Sequence, residues 1–265
     1  MSECFKILYV NEFFDLDNTI TSTTEDAEFP VSNLTSDSRS QVWRSASGTT
    51  TDRVVINLGS AKDIDSFAMF FDALNPLPLT SSAVVKLQAN TSDSWGAPPV
   101  DVTLSIDQVY KNAYHFFTST QNYQYWAVSV SDGTNPNNQI ELSLLYLSEA
   151  AGTSQPPEIG FKDGIKDQSK PRSTAFGHEY WDIYPNRISW DFNFKALSEA
   201  DKILFKDIFT EVGKHGTIVT ALDSDENIFT DANEYLLYCR LTKDYSAKHR
   251  FVNYFDYPLS VREAL

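Results

Sequence analysis

Cysteine is nearly absent. Only Cys4 and Cys239 occur in 265 residues, far apart and inside apolar runs. That excludes a disulfide framework and a cysteine-rich zinc site, and two buried, reduced thiols are expected. Glycine is also scarce, at 10 residues against 18 Phe, 13 Tyr and 5 Trp, and such an excess of aromatic side chains points to pleated, β-rich structure. Positive charge is in deficit: 21 Lys and Arg face 36 Asp and Glu, a net charge of −15. A chain this acidic is a poor match for nucleic acid or for an anionic membrane surface, both of which must be met with cations. No run approaches the roughly 20 apolar residues of a membrane-spanning helix. The opening MSECFKILYVNEFF lacks the basic segment and long apolar run of a signal peptide. Folding in a cytoplasm is therefore expected, with the sequons at Asn33 and Asn90 read as chance.

What is present is alternation. Hydrophobic content of 42% excludes a disordered chain. In the first half, period-two patterns recur between polar, often Pro-containing loops. Val54, Ile56 and Leu58 share one face, as do Val85 and Leu87, then Val102, Leu104 and Ile106, then Trp126, Val128 and Val130, then Ile140, Leu142, Leu144 and Tyr146. Many short strands separated by turn signals imply a sandwich or barrel over residues 1–147. Residues 148–175 lose this periodicity and gain Gly, Pro, Ser and charge, and are read as a linker. Residues 176–265 read as a smaller α+β domain of strand, helix and three strands, split-barrel-like in outline. Ile188, Trp190, Phe192 and Phe194 mark one strand face. Ser198 caps a helix with Asp201 in a shortened capping box, Leu204, Ile208 and Val212 form its stripe, and Gly213 stops it.

The stretch FFDLDNTITS, Phe13 to Ser22, resembles the first motif of the haloacid dehalogenase superfamily, which implies Asp15 as nucleophile and Asp17 as general acid. That motif must end the first parallel strand of a doubly wound α/β domain. Consecutive β runs follow instead, and no Asp-Asp pair for magnesium occurs. Asp15 and Asp17 are read as polar loop residues.

A different resemblance runs through the first half. FPVSNLTSDSRSQVWRS, with Pro30, Asn33, Leu34, Trp43, Arg44 and Ser45 in order, precedes RVVINLGSAKDIDSFAMFF, AVVKLQANTSDSW and a closing pair in YQYWAVSVSDGTNPNNQIELSLLYL. The series resembles the discoidin, or coagulation-factor C-type, family and implies a galactose-binding-like jelly roll. Trp43 is expected as a core plug, and Arg44 as the partner of a carboxylate such as Asp37. The family's ligand loops match poorly, so no ligand residue is carried over. The same order of elements is similar to virion-associated proteins of tailed bacteriophages. RISWDFNFKALSEADKILFKDIFTEVGKHGTIVTALD, with the closing FVNYFDYPLSVREAL, resembles tail proteins that form rings at the distal end of a phage tail tube.

These resemblances imply a non-enzymatic structural component of a phage tail tip or baseplate. Such a protein would form a homo-oligomeric ring, join tail-tube to tip proteins, assemble in the host cytoplasm and reside in the virion tail. The alternative is a carbohydrate-binding module for a host surface glycan, with Trp95 or Tyr123, read as exposed loop aromatics, stacking on a sugar. In the last strand Tyr254 and Tyr257 cannot share a face. Phe251, Phe255 and Tyr257 form the better core stripe, which leaves Tyr254 as the interface anchor.

Catalytic signatures are missing. The four histidines do not cluster in sequence, and no nucleophile elbow, P-loop or Cys-His signature occurs. Asp223, Asp225, Asn227, Asp231 and Glu234 fall at calcium-loop spacing, but Ile228 stands where the loop needs Gly. An acidic hairpin loop is the reading preferred, and neither metal nor cofactor is expected.

Overall fold

The computed structural model describes residues 5–72, 74–158, 160–174, 176–222 and 232–265. Two β assemblies share one chain. The first contains β2 (Thr19–Ser22), β3 (Trp43–Arg44), β4 (Thr51–Phe70), β5 (Val84–Asn90), β6 (Val100–Leu104), β7 (Asn112–Ser131), β8 (Glu141–Leu142) and β9 (Leu144–Ser148). The second contains β1 (Phe5–Leu8), β10 (Ala151–Gly152), β11 (Lys162–Lys166), β14 (Arg187–Leu197), β15 (Ile218–Leu222), β16 (Leu236–Leu241), β17 (Lys248–Phe251) and β18 (Tyr254–Glu263), with the helix α1 (Glu199–Val212). A separate ribbon, β12 (Lys170–Ser173) paired with β13 (Glu179–Asp182), lies between β11 and β14 in sequence.

The first assembly is a jelly-roll β-sandwich whose sheets do not close. One sheet runs β2-β4-β7-β5-β6, and β9 joins the far half of β4. β4 and β7 are each 20 residues long and pair at both ends. The register shifts between Asn57 and Lys62, where Gly59 takes a φ of 72°, so both strands bend and serve both layers. Val54 and Ile56 therefore meet Phe67 and Met69 across one core, with Trp43 wholly buried among them.

The second sheet runs β10-β1-β15-β16-β18-β14-β11. Its inner face buries Phe5, Trp190, Phe192, Phe194, Leu237 and Tyr257 beneath Phe205, Ile208 and Val212 of α1. The helix begins at the capping box of Ser198 and Asp201, both halves of which are made, and ends at Gly213 with φ 60°. Asp201 also holds the preceding loop: its carboxylate accepts from the Ser154 amide at 2.9 Å and from the Ser154 hydroxyl.

A third cluster welds the assemblies together. Ala68, Phe70, Leu144 and Tyr146 of the jelly roll pack on Leu8, Val219, Ala221, Leu236 and Tyr238. β9 and β15 are consequently buried at every position, which is why LLYLS and IVTAL carry almost no polar alternation. The Arg39 guanidinium, buried at this seam, donates to the Phe71 carbonyl and to Glu263 Oε1 at 3.2 Å. Burial pulls the Arg39 pKa down, and Glu263 opposes that shift.

Several expectations change. The first strand does not belong to the jelly roll: β1 pairs with β15 and with β10, Lys6 facing Gly152 and Ile7 facing Ala151. The chain thus leaves the second sheet after β1 and returns beside it at β10, so the jelly roll is an excursion between neighbouring strands rather than residues 1–147. Asn11 fixes the crossing, donating to the Leu145 carbonyl at 2.8 Å and accepting from the Leu147 amide at 3.0 Å. The stretch 148–175, read as linker, supplies β10, β11 and β12, since edge pairing uses backbone groups and needs no apolar pattern. The second assembly is accordingly larger than strand, helix and three strands.

Candidate functional site

A groove lies where the jelly roll meets the second sheet, lined by the segment that follows β1, the turn that follows α1 and the entry to β10. It consists of two adjoining depressions of ≈ 480 Å³ and ≈ 470 Å³ that share Tyr9, Val10, Glu12 and Lys62. Carboxylates dominate its polar lining: Glu12, Asp15, Asp37 and Glu211 in one half, Asp63 and Glu149 in the other, against Lys62 and His215. Lys62 Nζ spans Glu12 at 2.5 Å and Asp15 at 3.4 Å. Desolvation works against the ammonium, but Glu12 and Asp15 outweigh it and raise the Lys62 pKa. Asp15 is held below the usual carboxylate range first by the Asp17 amide and then by Lys62. Asp15 is therefore an anchored turn residue with a structural ion pair. Glu211 and Glu149 are exposed and make no ion pair among the described residues, which leaves the groove's lining net negative.

A smaller cavity of ≈ 380 Å³ opens at the loop rim of the jelly roll, lined by Arg44, Pro78, Asn137, Gln139 and Glu141. Arg44 does not reach Asp37. The register of β3 on β8 sets it opposite Glu141, whose carboxylate it meets at 2.5 Å, and its guanidinium lies 3.8 Å from the Phe29 ring centroid. Asp37 instead pairs with Arg240 at 2.8 Å, across the seam.

The expected sugar platforms do not come together. Tyr123 lies within β7, half-buried against Trp126, because the strand continues through the segment read as a loop. Trp95 does sit in a loop, but it is half-buried, donates from Nε1 to Asp93 at 2.6 Å and is covered by Arg53 at 5.4 Å. Neither lines the Arg44 cavity. Tyr254 is half-exposed at the start of β18, while Phe255 and Tyr257 are buried. Phe251 is a correction: a register shift and the turn at Asn253, φ 66°, rotate it into solvent beside Tyr254 and Val252. Of the calcium-spaced residues only Glu234 is described; Asp223, Asp225, Asn227 and Asp231 lie outside the described residues, as does Cys4.

One surface feature is not indicated by the periodicity. No described residue between Ser154 and Ser189 is buried. Within this stretch β11, β12 and β13 form an arm that exposes Ile165, Phe176, Tyr180, Trp181, Ile183 and Tyr184, with Phe176 at 92% and Trp181 at 57%. The ribbon is held by its own ladder, by the Arg172–Asp182 pair at 2.5 Å and by the tip bond from the Thr174 amide to the His178 carbonyl at 2.8 Å. The aromatic density of FGHEYWDIY was the available signal.

No family model and no curated protein matches the chain. Solved structures similar to the first assembly include the family 32 carbohydrate-binding module of C. perfringens NanJ in complex with galactose, at 13% identity and a TM-score of 0.43 over 54% of this chain and 99% of that one. Chitosan-binding module 1 of a Paenibacillus sp. IK-5 chitosanase/glucanase is similar at 20% identity and 0.40, over 52% and 98%. A mutant lectin binding domain of Lectinolysin complexed with Lewis b is similar at 8% and 0.44, over 54% and 99%. No ligand is carried over from them.

Proposed function

We propose that this chain is a non-enzymatic structural protein that assembles through its second sheet. The observation that carries the reading is the arm. Five large apolar side chains, Phe176, Tyr180, Trp181, Ile183 and Tyr184, stand in solvent on or beside a two-stranded ribbon that has no core of its own, and an isolated ribbon is marginal in water. A partner covering those side chains supplies the missing face. The resemblance of residues 176–265 to distal tail proteins gives the finer reading: a ring at a bacteriophage tail tip or baseplate that joins tube and tip proteins. Mass spectrometry of purified virions from the source, with native mass spectrometry of the isolated protein, tests both levels. Absence from virions removes the tail assignment, and a strictly monomeric species at high concentration removes the assembly reading.

A second reading, recognition of a host surface glycan by the jelly roll, is favoured by the Arg44 cavity. Its Arg, Asn, Gln and Glu side chains are of the hydrogen-bonding kinds that orient a ligand in a small site. A glycan array decides it. Binding lost in Gln139→Ala and kept in Trp95→Ala places the sugar at the cavity, the reverse pattern places it at Trp95, and a blank array ends the reading.

A further inference from the structure

The ladder between β11 and β14 has two unlike ends. At one end Lys162 faces Asp191, an opposite-charge pair; at the other Lys166 faces Arg187. Like charges set directly opposite each other across a ladder are destabilising, and the chain has 36 acidic residues with which to neutralise them. It does not do so. Lys166 and Lys170 are exposed, Arg187 is half-buried, and none of the three makes an ion pair among the described residues. Carboxylates of the surrounding segments are engaged elsewhere: Asp182 pairs with Arg172 at 2.5 Å, Glu263 with Arg39 at 3.2 Å, and Asp167 accepts from the Ser169 amide at 2.8 Å. Gln168, Lys170, Tyr184, Pro185 and Arg187 line a cavity of ≈ 240 Å³ at the base of the ribbon. The cavities described above all carry carboxylates in their lining, and this one carries none among the described residues. Gln168, in that lining, has a buried Nε2 that meets no acceptor, so its lost hydration is not offset. The Tyr184 amide, donating to the Ser169 hydroxyl at 3.4 Å, ties the two sides of the cavity together.

We propose that this cavity binds a phosphoryl group, carried on a small ester whose body lies against Tyr184 and Pro185. An anion held by Lys166, Lys170 and Arg187 turns a repulsive cluster into an attractive one and offers Gln168 Nε2 an acceptor. Three cations exceed what one carboxylate can neutralise, whereas a phosphate monoester carries about −1.5 to −2 at pH 7 and three acceptor oxygens. The arginine fork and the point charges of the lysines both suit such oxygens. Arg187 Nη1 donates to the Glu263 carbonyl at 3.4 Å, which steadies the guanidinium and leaves Nε and Nη2 for the ligand. At ≈ 240 Å³ the cavity exceeds a bare phosphate ion, and the tyrosine ring beside a proline gives an apolar surface for the rest of the ester. The site stands apart from the assembly reading, since ligand binding reports on it whether or not copies associate.

Titration calorimetry on the full chain at low salt tests this with glucose 6-phosphate, inorganic phosphate, glucuronate and glucose. Glucose 6-phosphate should bind. Lys166→Gln with Lys170→Gln, and separately Arg187→Gln, should each weaken it at least about tenfold, while Lys206→Gln, at an exposed lysine of α1, should leave it unchanged. Binding that survives both variants lies elsewhere and overturns the site. Inorganic phosphate binding as tightly as the ester would overturn the ester and leave free phosphate as the ligand; weaker binding supports the ester. Glucuronate or glucose binding as tightly as glucose 6-phosphate overturns the phosphoryl assignment. A second readout needs no ligand. Lys166→Gln removes the like-charge pair and should raise the thermal midpoint of the ligand-free chain, and phosphate should raise the wild-type midpoint by more than that of the variant. If sodium chloride at matched ionic strength raises the wild-type midpoint as far as phosphate does, only general screening acts and the proposal is overturned. Failure of both phosphate probes to bind overturns it as well.

Discussion

The two assemblies treat aromatic residues in opposite ways. In the jelly roll Trp43 and Trp126 are buried, Tyr123 leans on Trp126, and Trp95 is tied to Asp93 and Arg53; no described Phe, Tyr or Trp there is exposed. The second assembly buries a connected set in Phe5, Phe192, Phe194, Phe205 and Tyr257, whose rings meet at 4.5–5.2 Å, yet leaves Phe176, Tyr180, Trp181, Tyr184, Phe251 and Tyr254 in solvent. Exposed aliphatics are scattered over both, as on any surface, so the aromatics make the distinction. The jelly roll keeps its aromatic rings under cover, whereas the second assembly leaves several of them in solvent.

The largest effects should come from breaking either core. Trp43→Ala and Phe194→Ala should each cost about 3–5 kcal/mol, read by chemical denaturation. Because the seam is continuous with both cores, the wild type should unfold in one calorimetric transition; two resolved transitions would mean that the seam does not couple them. Arg39→Ala leaves the half-buried Glu263 without its cation and should cost about 2–4 kcal/mol; a loss below about 1 kcal/mol would show that the Ile188 amide, 3.1 Å from Glu263, suffices.

Ser198→Ala removes the helix cap and should cost about 1 kcal/mol. Its partner adds a pH signature. Burial alone would raise the Asp201 pKa, but the hydrogen bonds from Ser154 and Ser198 outweigh it and lower the value. A carboxylate depressed in the folded state contributes stability that is complete above its unfolded value of about 4 and is lost as pH falls through the lower folded value. Asp201→Asn should therefore flatten the acid limb of the stability curve, and an unchanged limb would exclude Asp201 as its source. The smallest effects belong to the arm and the β17–β18 turn: Trp181→Ala and Tyr254→Asp should change monomer stability by less than about 0.5 kcal/mol. Tyr254→Asp bears on assembly separately, since normal self-association in that variant would remove Tyr254 as an anchor.

Strand positions were legible where one face meets the core and the other meets water. Val54, Ile56 and Leu58, and Trp190, Phe192 and Phe194, appear as alternation and are buried as alternation. The helix was legible because Ser198, Asp201 and Gly213 act within a turn of its ends. Partnership across the chain was not. Arg44 offered several carboxylates, and only the β3–β8 register selected Glu141. Phe251 and Phe255 share a period, but the shift at the β17–β18 turn separates them.

By itself the sequence determined the β-rich class, the alternating strand faces, the capped helix and the aromatic face beneath it, because each depends on neighbours within a few residues. The tertiary structure decided the rest. It placed β1 in the second sheet beside β10, buried LLYLS and IVTAL on both faces at a seam between two cores, and left an aromatic ribbon in solvent between β11 and β14. Those outcomes depend on contacts between segments distant in sequence, and a local pattern of polar and apolar side chains does not encode which distant edge a strand will join.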